Sequence, residues 1–174
     1  MGPRLGQFGR VFVALMMLAV QGRCGYQVKG GLKAPAGVHT IAVTMLENRT
    51  LESGIEAVFT NDFLYEFTRS KVLQVAGPNV ADAVLSGTIV SLNVDTISHT
   101  ADYASGERRV TITLDLALTK ANGAVIWSDG TFSDREEYKV SSDKLTTERN
   151  RRTAIEALSE RTAEKIHNRI LQDF

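Results

Sequence analysis

Cysteine is almost missing from this sequence of 174 residues, in which Cys24 is the only one. A single thiol forms no internal disulfide, so packing alone must stabilise the fold. Long apolar runs are missing as well. The run Val11 to Val20 has ten residues, about half of what crosses roughly 30 Å of hydrocarbon. An excess of positive charge is lacking too, because 20 Lys and Arg stand against 20 Asp and Glu. Such a balance gives no general pull toward nucleic acid, whose binding takes a basic face that displaces counterions.

Motifs for chemistry are equally scarce. His39, His99 and His167 lie far apart and belong to no ligand-spaced pattern, so they are expected at the surface or in turns, and no metal site is expected. There is no phosphate-cradling loop of the Walker kind. Gly30-Gly31 lacks the spacing of a dinucleotide fingerprint, and no serine sits in a nucleophile elbow. No cofactor and no catalytic residue is expected, which points to a binding or assembly protein and not an enzyme.

What is present begins at the amino terminus. Arg4 and Arg10, the apolar run 11–20, and Gln21-Gly22-Arg23 before Cys24 follow the layout of a secretory signal peptide over residues 1–23. A lone cysteine at that place suggests a bacterial lipoprotein acylated on Cys24, each buried methylene contributing about 0.8 kcal/mol of membrane affinity. Gln21 and Arg23 depart from the usual lipobox, which leaves open a conventional cleavage site beside an incidental cysteine. Gly25 in place of an aspartate favours sorting to the outer membrane. Without residues 1–23, which hold three arginines and no acid, 151 residues remain with a net charge of −3, enough for one domain with its own core.

Residues 24–39 carry Gly25, Gly30, Gly31, Pro35 and Gly37, a composition suited to a tether. From residue 40 to 174 a single domain is expected. Ile41-Ala42-Val43, flanked by threonines, reads as a buried strand. Ser53-Gly54-Ile55-Glu56 matches a capping box, and Ile55, Val58, Phe59, Phe63 and Phe67 form a helical stripe, with Glu56, Thr60 and Glu66 elsewhere on the wheel. A short strand at 72–75 and a turn at Gly77-Pro78-Asn79 follow. The β-branched stretch 83–94 changes phase near Ile89 and Val90, which predicts a bulge.

Val110, Ile112, Leu114, Leu116 and Leu118 alternate with Thr111, Thr113, Asp115, Ala117 and Thr119, the pattern of a strand with one dry face. Asn122-Gly123 predicts a type I′ hairpin returning through 125–132, with Leu118 facing Trp127. Residues 133–147 are polar and charged, and Ala154, Ile155, Leu158, Thr162, Ile166 and Ile170 then repeat at helical spacing opposite Glu156, Glu160, Glu164 and Asn168. The expected fold class is α+β: a two-layer sandwich with a largely antiparallel or mixed sheet of about four strands and two helices on one face.

Two arginine groups stand out, Arg108-Arg109 near the start of the long strand and Arg149, Arg151 and Arg152 near the start of the last helix. Their planar forks suit phosphate or carboxylate, although such groups often only solvate element ends. Cations at a helix start oppose its dipole, which favours an external partner for Arg151 and Arg152. The acids Asp134, Glu136 and Glu137 read as a solvated surface.

Several of these pieces together carry a family likeness. Cys24-Gly25-Tyr26 before a glycine-containing tether, Ile41-Ala42-Val43 with Glu47-Asn48-Arg49-Thr50 before an amphipathic helix, and Ala81-Asp82-Ala83-Val84-Leu85-Ser86-Gly87-Thr88-Ile89 resemble the lipopolysaccharide-assembly lipoprotein family LptE. The likeness continues through the long strand, the hairpin with Trp127 and the last helix. It implies a lipid-anchored outer-membrane protein with a sheet and two helices. It also implies a place inside the barrel protein LptD as a plug, a part in assembling that barrel, and binding of lipopolysaccharide. Under that reading Arg108 and Arg109, at a strand end, are the candidate lipopolysaccharide contacts. The same strand, Glu-Asn-Arg-Thr and helix also resemble periplasmic lipoproteins that activate peptidoglycan synthases or serve secretion pores. A hydrolase using Asp134 or Glu137 is a third reading, for which the sequence supplies no paired base or nucleophile.

Overall fold

The computed structural model describes residues 34–35, 37–99 and 105–173, so the signal segment 1–23, Cys24 and the tether through residue 33 lie outside the described residues. The elements run β1 Thr40–Val43, β2 Glu47–Asn48, α1 Ile55–Ser70, β3 Gln74–Val75, β4 Ala83–His99, β5 Ser105–Lys120, β6 Val125–Lys139 and α2 Lys144–Gln172. They form one mixed sheet ordered β3-β1-β4-β5-β6, with β2 alongside β4. β1 pairs in parallel with β3 and β4, and β2 in parallel with β4, while β4, β5 and β6 are antiparallel. Six strands stand where about four are expected from sequence, because β2 and β3 are only two residues long each.

Alternation explains the layering. Val110, Ile112, Leu114, Leu116 and Leu118 on one face of β5 are fully buried with Phe59, Phe63 and Phe67 of α1 and Leu158, Ile166 and Ile170 of α2. Both helices therefore cover the same face, which gives the two-layer α+β sandwich. The α1 stripe holds at Ile55, Phe59, Phe63 and Phe67, but Thr60 and Glu66 are buried as well. Hydrogen bonds make the burial of Thr60 tolerable: its hydroxyl donates to Glu56 O at 2.6 Å and accepts from the Leu46 amide at 3.1 Å. The capping box is only half present. Glu56 reaches back to the Gly54 amide at 3.1 Å, whereas the N-cap is Gly54 itself, at φ 90°, with no side-chain cap from Ser53.

Three further expectations change in detail. The bulge falls at Val90, between the pairs Ile89–Leu114 and Ser91–Thr113. At the hairpin, Leu118 does face Trp127, but the turn is not type I′. Only Gly123 has positive φ (85°), the Gly123 amide donates to Lys120 O, and Lys120 closes on Ala124 O, which makes a three-residue loop with a glycine in the left-handed region. Ile126 then drops out of register, since Thr119 pairs with Val125 and Leu118 with Trp127. That second irregularity restores the register a two-residue turn would have set.

The charged stretch from residue 133 is not a loop. β6 continues through it to Lys139, and α2 starts at Lys144 behind Asp143, whose carboxylate accepts the Leu145 and Thr146 amides at 3.2 and 3.0 Å. At the other end of the domain, the last tether residues are packed. The Val38 amide bonds to Pro35 O, Val38 is fully buried, and the His39 and Thr40 amides donate to Asp82 at 2.8 and 2.9 Å.

Candidate partner-binding surface

The face of the sheet away from the helices is built by the alternate positions of the long strands. Ser86, Thr88, Ser91 and Asn93 of β4 stand beside Thr111, Thr113, Asp115, Ala117 and Thr119 of β5, with Ser128 and Ser133 of β6 next to them. Short hydroxyl side chains on a pleated surface make a flat, hydrogen-bonding plane. No helix covers this plane among the described residues, because every helix-facing apolar position lies on the opposite side.

Arg108 and Arg109 are neighbours in β5 and so point to opposite faces. Arg108 pairs in register with the buried Tyr138 on the helix side, and it makes no ion pair among the described residues. Arg109 lies on the outer plane between Asp95 and Glu137, and its guanidinium holds Glu137 at 2.7 and 3.1 Å. The two arginines thus form no single cluster. Arg151 is also engaged within the fold, by Glu52 of the β2–α1 loop and by Glu148. Glu52 explains the cation at the helix start more simply than an external partner does; Arg152 alone of that pair keeps no ion pair among the described residues.

The acids 134–137 are structural in the same way. Asp134 has a side chain only 9% exposed, lies on the helix face of β6, and accepts Arg161 at 3.1 Å and Lys165 at 2.9 Å from α2. Burial raises its carboxyl, but the bonds from Lys165, the Arg135 amide and Arg161 outweigh that and hold it below the usual carboxylate range. Glu136 pairs with the same Arg161 and Glu137 with Arg109. Asp134 is thereby engaged in tying β6 to α2.

Asn48 is a residue that composition does not single out. Its amide donates to Glu52 O and Glu56 Oε2, both at 2.8 Å, while its carbonyl accepts the Thr50 amide and hydroxyl at 2.9 and 2.8 Å. The Glu-Asn-Arg-Thr segment is therefore a folded hub joining β2 to α1. The cue in the sequence is an Asx turn, two residues long, before a helix.

His167, expected at a surface or turn, is 2% exposed and faces α1, with its ring edge-on to Phe67 at 5.1 Å between centroids and Glu66 4.0 Å away. Its Nε2, Ser159 Oγ and Thr162 Oγ1 are buried without a hydrogen-bond partner among the described residues. Burial pushes the imidazole below its usual range, and Arg69 adds to this, against the opposite pull of Asn168, Glu66 and Glu164. An unfolded histidine takes up its proton near pH 6.5, the folded one only at lower pH. The titration of His167 therefore costs no stability above about pH 6.5, and stability falls as pH drops below that value toward the folded-state pKa. Thermal melts of His167→Leu between pH 7 and 5 should show a shallower pH dependence than the parent; equal slopes would mean that the ring titrates alike in both states.

Between α1 and α2 runs a groove of about 620 Å³ lined by Asp62, Tyr65, Glu66, Arg69, Glu160 and Glu164, and Arg69 in it is bound to Glu66. No group of three or more His, Cys, Asp or Glu among the described residues is arranged to hold a metal ion. No helix among them is long and apolar enough to cross a membrane.

Comparison with solved structures finds the same fold in lipoproteins. A lipoprotein B from Nitrosomonas europaea superposes with a TM-score of 0.59 at 10% identity, covering 84% of this chain and 90% of that one. A minor lipoprotein from Acinetobacter baumannii gives 0.53 at 15% identity over 78% and 93% of the two chains. The rare lipoprotein B from Shewanella oneidensis gives 0.51 at 16% identity over 76% and 92%. No curated protein matches the chain significantly. The family model described as LptE, lipopolysaccharide-assembly, matches residues 38–170, which span the whole described sheet, α1 and all but the last two residues of α2, and the chain belongs to that family.

Proposed function

We propose that this chain is an outer-membrane lipoprotein, acylated on Cys24, that lodges in an LptD barrel as a plug and helps to assemble lipopolysaccharide at the cell surface. The observation that carries the reading is the hydroxyl-rich plane of β4, β5 and β6, which no described element covers, behind a packed core. A large barrel has a polar, wet interior, so a plug needs a rigid body with a hydrogen-bonding surface and not an apolar one. This plane has that chemistry. The role is binding and not catalysis. Arg108, free of ion pairs among the described residues, is the better placed of the two candidate contacts for a lipopolysaccharide phosphate. Arg109 is the second, reached only by competing with Glu137.

Co-expression with the barrel protein of the same cell, followed by purification from outer membranes in detergent, tests the reading. Recovery of the barrel in equal amount, with lipopolysaccharide bound, supports it. Recovery of a peptidoglycan synthase, or of the chain alone, overturns it. Within the complex, Arg108→Glu should weaken lipopolysaccharide binding about tenfold, the worth of one charge-assisted contact. The same change at Arg109 would set three acids side by side and read folding instead, which makes Arg108 the cleaner site.

A further inference from the structure

The sheet has two long edges, and among the described residues only one is protected. Along β6, Arg161 donates to the Arg135 carbonyl and Asn150 Nδ2 to the Lys139 carbonyl, so side chains of α2 occupy acceptors that the edge would otherwise offer to another strand. On the opposite side, β1 and β2 pair with β4 only between Ala83 and Ile89. From Ser91 to Ser98, β4 pairs with β5 alone among the described residues. Edge strands are usually blunted by lysine, proline or a covering element. This segment has no lysine, arginine or proline, and its one charge is Asp95.

The direction of the free backbone groups follows from the register. The Arg49 amide donates to Ile89 O at 3.0 Å, so Ile89 turns its polar groups toward this edge. Val90 is the bulge, after which Leu92, Val94 and Thr96 take that direction in the regular alternation. The partner strand agrees: Ser133 Oγ reaches Ile112 O from the β6 side at 3.0 Å, and Ile112 is the residue opposite Leu92. Three successive sets of backbone donors and acceptors therefore point outward.

The side chains around them define what fits. Leu92 and Val94 lie on the helix side, Val94 still 40% exposed, while Asn93 and Asp95 lie on the outer plane. A strand added here needs apolar residues at every second position, with polar or cationic residues between them. That alternation is the sequence pattern of an outer-membrane barrel strand. A closed barrel has no edge to offer, but a barrel chain that has not yet closed has one.

We infer that the β4 edge from Leu92 to Thr96 holds a strand of the partner barrel by strand addition before that barrel closes. The inference rests on the barrel partnership proposed above and names where the unclosed partner is gripped. It gives the domain an active part in assembly, as a template for one strand.

Amide hydrogen exchange of the full mature protein tests it, with the barrel chain added either unfolded, by dilution from urea, or folded in detergent. The unfolded chain should slow exchange at Leu92, Val94 and Thr96 at least tenfold. Val94→Pro, which removes one outward amide, and Val94→Lys, which places a charge at the edge, should both abolish the slowing and leave the melting curve of the free protein in place. If either barrel form binds but exchange at these amides is unchanged, the edge inference fails and the partnership stands. If neither form binds, both fail. Slowing that grows with the concentration of the protein alone would give the edge to a second copy and overturn the inference.

Discussion

Phe63→Ala is expected to lower the unfolding free energy by about 3–5 kcal/mol, the range for emptying a fully packed aromatic site. Phe63 is fully buried in the middle of α1, one turn from Phe59 and one from Phe67, which are fully buried too. The sheet behind it, with β4 tied to β5 over its whole length, leaves little freedom to collapse into the space. Such a loss takes a large part of the roughly 5–15 kcal/mol that holds a typical domain together. Urea unfolding followed by far-ultraviolet circular dichroism measures it. A change below about 1 kcal/mol would show that the helix layer repacks, contrary to a tightly interlocked core.

Gly87→Ala is the second large effect. Gly87 faces Leu116 across β4 and β5, and a Cβ there would lie 2.5 Å from Leu116 Cδ2 and closer still to the backbone carbonyl of Asp115. Leu116 is fully buried and the carbonyl belongs to the strand itself, so neither can step aside cheaply. Relief requires the two strands to separate, and the expected cost is about 2–3 kcal/mol, toward the upper end for overpacking. An alanine at Gly77, where a Cβ meets nothing within 4 Å, is the control and should change stability little. Equal midpoints for the two variants would refute the close strand contact. By comparison, an exposed pair such as Arg109–Glu137 is worth roughly 0–1 kcal/mol.

Patterns local to the chain are legible in the residues alone. The β5 alternation, the stripes of both helices and the phase change at Val90 each follow from the 2.0 or 3.6 residue period, which depends only on neighbours in sequence. The Leu118–Trp127 pairing is legible too, though for an incomplete reason: a longer turn and the displaced Ile126 cancel. The likeness to the LptE family rests on the same local pieces, and the family match over residues 38–170 agrees with it.

Charge is where the sequence pattern misleads. Asp134, Glu136 and Tyr138 alternate toward α2, but two of the three are acids, so the strand period is hidden without Arg161 and Lys165 of the helix that follows. His167 and Glu66 mislead in the same way, since each is buried by an element remote in sequence. The separation of Arg108 from Arg109 is implicit in the strand period, yet what each one faces is not.

The order of residues alone fixes β1, α1, β5, the hairpin into β6 and the apolar stripe of α2, and which side of each is dry, because these follow from steric repeat and apolar placement along the chain. The packing of the layers sets the parallel run of β1, β2 and β3, the neutralisation of Asp134 and Glu136 of β6 by α2, and the edge of β4 that no described strand pairs. Each of these depends on contacts between groups distant in sequence, whose energies arise only once the layers have closed on one another.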